Sequence, residues 1–142
     1  MKQITFFSID WHDCGLCNPL KKVHERTTVH LRKKMIKLEK FNGLDELLGK
    51  EEYFVCSESI NDFFAFIGKM DLNNEWKNDY TVVVCDGSQW KMRLRYSDRT
   101  VKLIVGNVEK PDKGRKIEKM IKDMMPNKKC IEKPILFGCW CT

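Results

Sequence analysis

Four of the seven cysteines in this 142-residue chain fall into two close pairs near its opposite ends. Cys14-Gly15-Leu16-Cys17 has the spacing of a metal knuckle, in which a glycine lets the backbone fold back so that amides point at thiolate sulfurs. Cys139 and Cys141 stand two apart, so in an extended segment both side chains leave on the same side. Together Cys14, Cys17, Cys139 and Cys141 make a set of four thiolates, for which zinc is the default cation. Such a site would be structural, tying the two ends of one domain together and closing a long loop. C-x-C is a less usual bite than C-x-x-C, and Cys130, His12, His24 or His30 could replace one ligand. Cys56 and Cys85 fall in extended stretches and are expected as small core residues.

A second pattern with chemical content lies in SQWKMRLRYSDRTVKLIVG. Alternation puts Trp90, Met92, Leu94 and Tyr96 on one face of a strand, and Lys91, Arg93 and Arg95 on the other. On the next strand Val101, Leu103 and Val105 are assigned to the apolar face and Lys102 to the basic one. Like charges at alternate positions repel, so a plain solvent face more often mixes signs. Lys110, Lys113, Arg115 and Lys116 add charge where a last helix begins, and free backbone N–H groups there favour anions. Lys91, Arg93, Arg95, Lys102, Arg115 and Lys116 are therefore the candidate surface for an acidic protein or for nucleic acid. No stacking or base-edge group accompanies these charges, so nucleic acid would be held by its phosphates and released by salt.

Enzyme patterns fit poorly. FFSIDWHDCGLCNPL is superficially like a thioredoxin start, but His12 and Asp13 separate Trp11 from the first cysteine, and TTVHLRKK then reads as extended. GLDELLGKE differs from a phosphate loop by one extra residue, and Glu51 stands where a magnesium-binding hydroxyl belongs. G-x-G-x-x-G, H-E-x-x-H and G-x-S-x-G do not occur. His24-Glu25 has no nucleophile fixed beside it, so no catalytic residue is assigned.

The elements that must position these groups follow from periodicity. Residues 3–10 read as a strand, and WHDCGLCNPL as a loop set by Gly15, Asn18 and Pro19. Over 27–41 the apolar parity flips from Val29 and Leu31 to Ile36 and Leu38, which predicts two strands joined tightly near Lys33 and Lys34. A helix through Leu31, Met35 and Leu38 is the alternative. Residues 44–48 read as one helical turn and 53–56 as a short strand. Ser57 or Ser59 is expected to cap a helix running to Met70, with Ile60, Phe63, Phe64 and Ile67 as its apolar stripe. Trp76 is expected to plug the sheet after that helix.

Strands at 80–85, 90–96 and 100–107, with turns at Asp86-Gly87 and Ser97-Asp98-Arg99, predict an antiparallel meander. A helix over 114–125 carries Ile117, Met120, Ile121 and Met124 and stops at Pro126. The end, KPILFGCWCT, reads as extended. The expectation is a single α+β domain over 1–142, in β-β-β-α-β-β-β-α order. It has about six strands in a mainly antiparallel sheet, with two helices on one face.

Between residues 86 and 111 the order Asp86-Gly87-x-x-Trp90, Tyr96-x-Asp98 and Gly106-x-Val108-x-x-Pro111 precedes an Ile-rich helix. This arrangement resembles a family of small uncharacterised bacterial proteins, over about residues 53–125. The resemblance implies an α+β fold and no established activity, and it assigns no functional residue.

Composition bounds the remaining choices. Apolar residues make up 42% and charged residues 32%, which suits one ordinary core with a wet surface. No apolar run approaches the ~18–20 residues that span a bilayer. The start MKQITFFSID is too short for a signal-peptide core, so a cytoplasmic chain with reduced or metal-bound thiols is expected. The net charge of +6 allows an acidic partner without demanding one. The leading expectation is a non-enzymatic binding or accessory module. The alternatives are a nucleic-acid-binding protein using the same basic face and a thiol redox protein using CGLC.

Overall fold

Apolar residues at every second position build a sheet, and two amphipathic helices cover one side of it. The computed structural model describes residues 2–13, 23–82, 88–107, 109–125 and 136–137. The elements in chain order are β1 (Ile4–Asp13), β2 (Val23–His30), β3 (Met35–Asn42), β4 (Leu47–Phe54), α1 (Ser57–Leu72), β5 (Asp79–Tyr80), β6 (Ser88–Tyr96), β7 (Val101–Gly106) and α2 (Gly114–Met124). The chain is an α+β domain, as expected, with a seven-stranded sheet in the order β4-β3-β2-β1-β6-β7-β5. Every neighbouring pair is antiparallel except β5 with β7.

The core lies between the sheet and the helices. Phe7, Ile9, Val29, Ile36, Met92, Leu94 and Ile104 are fully buried from the strands. Ile60, Phe63, Phe64, Ile67 and Met70 of α1 meet them, on the predicted stripe. Each such side chain contributes roughly 1.5–3 kcal/mol on leaving water. Ile117 and Ile121 of α2 complete the cluster. Trp76 is buried and donates from Nε1 to the carbonyl of Asp112 at 3.1 Å.

The parity flip in 27–41 marks β2 and β3, joined by a turn in which Lys34 takes a φ of 52°. Five expectations need correction. Residues 44–48 are not a helical turn. Asn42 Oδ1 accepts from the amides of Leu44 (2.9 Å) and Glu46 (3.0 Å), Asp45 takes a φ of 60°, and the chain turns straight into β4. β4 begins with a bulge where Lys40 and Phe41 meet Gly49 and Leu47, and it is far longer than the strand expected at 53–56. Neither serine caps α1: Cys56 holds the N-cap position without a side-chain cap. Cys56 is exposed rather than a core residue, and its thiol donates to Ser59 Oγ at 3.1 Å. Finally, β5 does not pair with β6 in a meander. It spans two residues and lies parallel to the far side of β7.

Trp90 and Gly106 pack on each other at this end of the sheet. Trp90 stands opposite Gly106, and its Nε1 donates to the carbonyl of Glu109 at 2.9 Å. Phe137 meets the Trp90 ring edge-on at 5.1 Å. A Cβ placed on Gly106 would sit 2.6 Å from Cε2 of Trp90, so only glycine lets the indole lie flat on the strand. Gly106→Ala should destabilise the domain by about 1–3 kcal/mol in urea unfolding. Gly49→Ala is the control, because nothing lies within 4 Å of the added Cβ. Equal stability of the two variants would contradict this packing.

Candidate functional site

Residues directly opposite each other on antiparallel strands share a face. Phe7 stands opposite Val29 and Leu94, and Ile9 opposite Thr27 and Met92, all toward the helices. Phe7 packs edge-on against Phe63 of α1 at 5.2 Å. From Phe6 to His12 the even-numbered residues therefore point to the other face, where no helix packs among the described residues, while a register shift between Ile4 and Phe6 leaves Ile4 in the core.

That open face is built in rows across the strands. One row runs Phe54, Met35, His30, Phe6, Arg95, Val101. The next runs Glu52, Lys37, Thr28, Ser8, Arg93, Leu103. The third alternates in charge from β4 to β6: Lys50, Glu39, Arg26, Asp10, Lys91. At the end of the sheet Phe41, His24, His12 and Gln89 form the last row.

The rows differ in how their charges are answered. Arg26 donates from Nε to Asp10 Oδ1 at 2.6 Å, and Asp10 is buried, so this pair is the most strongly held on the face. Arg95 lies 4.3 Å over the ring of Phe6, which in turn meets His30 edge-on at 5.0 Å. Among the described residues, Arg93 and Arg95 have no carboxylate within ion-pair distance. Beside them Val101 is 48% exposed and Leu103 46%.

The predicted basic surface is thus divided. Lys91, Arg93 and Arg95 share the open face. Lys102 does not join them. It stands opposite Leu94 on the helix side, with Nζ 2.9 Å from Asp71 Oδ1. The reason is that Ile104, opposite Met92, is the residue β7 buries, which turns Val101, Leu103 and Val105 outward beside the arginines. Arg115 and Lys116 sit on α2, on the helix side, where Lys116 Nζ lies 4.6 Å over Phe66 of α1. Nearby Lys110 and Lys113 are answered by Glu118 (2.7 Å) and Glu75 (3.3 Å). Cys14, Cys17, Cys139 and Cys141 lie outside the described residues, as do Cys85 and Cys130.

The last row holds a group that the sequence reading did not assemble. His12 and His24 stand directly opposite, with rings stacked at 3.8 Å. Asp45 comes in from the β3–β4 turn, its Oδ1 3.2 Å from His24 Nδ1. Burial, and then the His24 ring, hold the His12 imidazole below its ordinary range. The only available signal was that His12 and His24 flank the first connection, and pairing them needs the register of β1 against β2.

A groove of about 270 Å³ lies at the β2–β4 side, lined by Glu25, Thr27, Leu38, Lys40 and Gly49 among others. It falls below the roughly 300–1,000 Å³ of small-molecule sites, and Lys40 Nζ lies 3.7 Å from Glu25 Oε1 within it.

His30 makes the open face sensitive to pH. Burial first, then Lys33, Lys37 and Arg95, against the weaker pull of Glu52, hold its imidazole below the ordinary value of 6.5. The folded chain then binds fewer protons at this site than the unfolded chain. Stability from His30 is present above the unfolded value and lost as pH falls below it. The unfolding temperature should drop between about pH 7 and pH 5, and His30→Gln should make that drop shallower. Identical slopes in the two proteins would contradict this environment.

No protein-family model matches the chain and no curated protein matches it, so its function is read from the residues of this face.

Proposed function

We propose that this chain is a non-enzymatic binding module whose open sheet face docks an acidic, partly apolar protein segment. The observation that carries this reading is the company of Lys91, Arg93 and Arg95: they share the face with exposed Val101 and Leu103. Cations beside exposed aliphatics suit a partner that alternates carboxylates with apolar side chains. Nucleic acid would use the cations and leave the aliphatics in water. β5 pairs only with Val105 and Gly106, so the outer edge of β7 from Val101 to Ile104 has no strand beside it among the described residues. An extended acidic segment could add there, its alternate side chains reaching the arginine row. Lys102, Arg115 and Lys116 lie outside this surface.

The probes are an acidic peptide alternating glutamate with leucine and a single-stranded RNA of equal charge, each at about 50 and 200 mM salt. The peptide should bind more tightly and retain binding at the higher salt. Arg93→Glu/Arg95→Glu should weaken it at least tenfold while the thermal unfolding curve is unchanged. RNA binding in place of peptide binding would move the function to the nucleic-acid alternative. Peptide affinity unaffected by the double variant would remove this face from the function.

A structural zinc at Cys14, Cys17, Cys139 and Cys141 belongs to the same proposal and rests on spacing alone. Cys139→Ser/Cys141→Ser should hold one zinc fewer per chain than the parent. Equal zinc in the two would end that part of the reading and leave the docking face standing.

A further inference from the structure

We propose that His12, His24 and Asp45 form a second metal site, independent of the cysteines, for a divalent cation of the zinc class, with Asp10 as the outer carboxylate that orients His24. One ligand atom from each of the three residues lies within 4.8 Å of the others. Tetrahedral zinc with bonds of about 2.0–2.2 Å sets its ligands about 3.3 Å apart. His24 Nδ1 and Asp45 Oδ1 already stand at 3.2 Å. His12 has to close by at most about 1.5 Å, which a half-buried ring at a strand end can do by rotating about its side-chain bonds.

The stronger argument is an accounting of protons. His24 Nδ1 faces Asp45 at 3.2 Å, and its Nε2 faces Asp10 Oδ1 at 3.5 Å. A neutral imidazole carries one N–H. Whichever nitrogen bears it, the other presents a lone pair to a carboxylate. His24 is buried, and its Nε2 makes no hydrogen bond of good geometry. A second proton or a metal cation at Nδ1 answers this conflict; with the metal, the Nδ1 lone pair and the Asp45 carboxylate both bind it, and the Nε2 proton is left to donate to Asp10. That is the carboxylate–histidine–metal order by which outer groups orient an imidazole ligand. Arg26 holds Asp10 from the other side at 2.6 Å, which keeps this carboxylate in the outer shell.

The surroundings restrict the ring further. Phe41 packs against His24 at 4.8 Å on the side away from His12, so the imidazole cannot swing out of the row. The Asn42-built turn sets the position of Asp45. Two imidazoles and one carboxylate select zinc-class ions over calcium or magnesium, which take oxygen ligands. The fourth position goes to solvent, because Asp45 is exposed on its turn.

The test is zinc per chain, measured on full-length protein saturated with zinc and then desalted. His12→Gln/Asp45→Asn avoids the buried His24, and asparagine tolerates the φ of 60° at position 45. This variant should hold one zinc fewer than the parent. The same difference of one should persist when Cys139→Ser/Cys141→Ser is added to both, so this site and the thiolate site succeed or fail separately. Equal zinc in parent and variant overturns the proposal, as does a parent that retains none. A folded Asp10→Asn variant should keep the stoichiometry and lose about 10–100-fold in zinc affinity. Unchanged affinity would remove Asp10 from the site.

Discussion

Phe7 and Ile9 are fully buried beneath α1 at the middle of the sheet, and a strand has only two faces. Once these two residues point at the helices, Phe6, Ser8, Asp10 and His12 must point away. β1 is flanked by β2 on one side and β6 on the other, so its parity passes to both. That one constraint places Arg26 beside Asp10, His24 beside His12, and Lys91, Arg93 and Arg95 along the same face. A slip of one residue in either pairing would send a whole set of charges into the core. Burial of the core and composition of the open face are two consequences of the same alternation.

The open face is not uniform. Its middle is locked by the buried Asp10 and its 2.6 Å bond to Arg26. Removing one partner from a buried pair leaves a charge without an answer, so this contact restricts the sheet's alternatives more than it adds net stability. On one side lie arginines with no carboxylate near them among the described residues, beside exposed aliphatics. At the end of the strands lies a histidine pair closed by Asp45. Surface ion pairs such as Lys50 with Glu52 contribute little. The proposed docking face and the proposed metal site lie where charge is left unanswered or where a neutral imidazole faces two carboxylates.

Much of the fold was legible because burial leaves a period. The stripe of α1, the parity flip between Val29 and Ile36, and the alternation of β6 all follow from side chains that the core takes in. β4 was not legible, because LLGKEEYF is exposed along nearly its whole length and carries no period to read. The short stretch LDELL imitates a helix only until Asn42 folds the turn. The outward face of β7 was misassigned because VKLIVG is apolar on both parities, and only its register with β6 shows that Ile104 is the buried one. The site at His12, His24 and Asp45 joins three elements, and no local spacing connects them. Of the six cations read from the sequence, three remain together on one strand, because helix and sheet placement separates the others.

The most direct measurement is the set of cross-strand backbone contacts of β1 by NMR, read between α-protons of facing residues. Contacts linking His12 with His24, Asp10 with Arg26, and Ile9 with Met92 are predicted, since these are non-hydrogen-bonded facing pairs in the two registers. Contacts displaced by one residue would put the imidazoles on different faces and turn the arginines toward the helices, and would contradict both the docking face and the metal site.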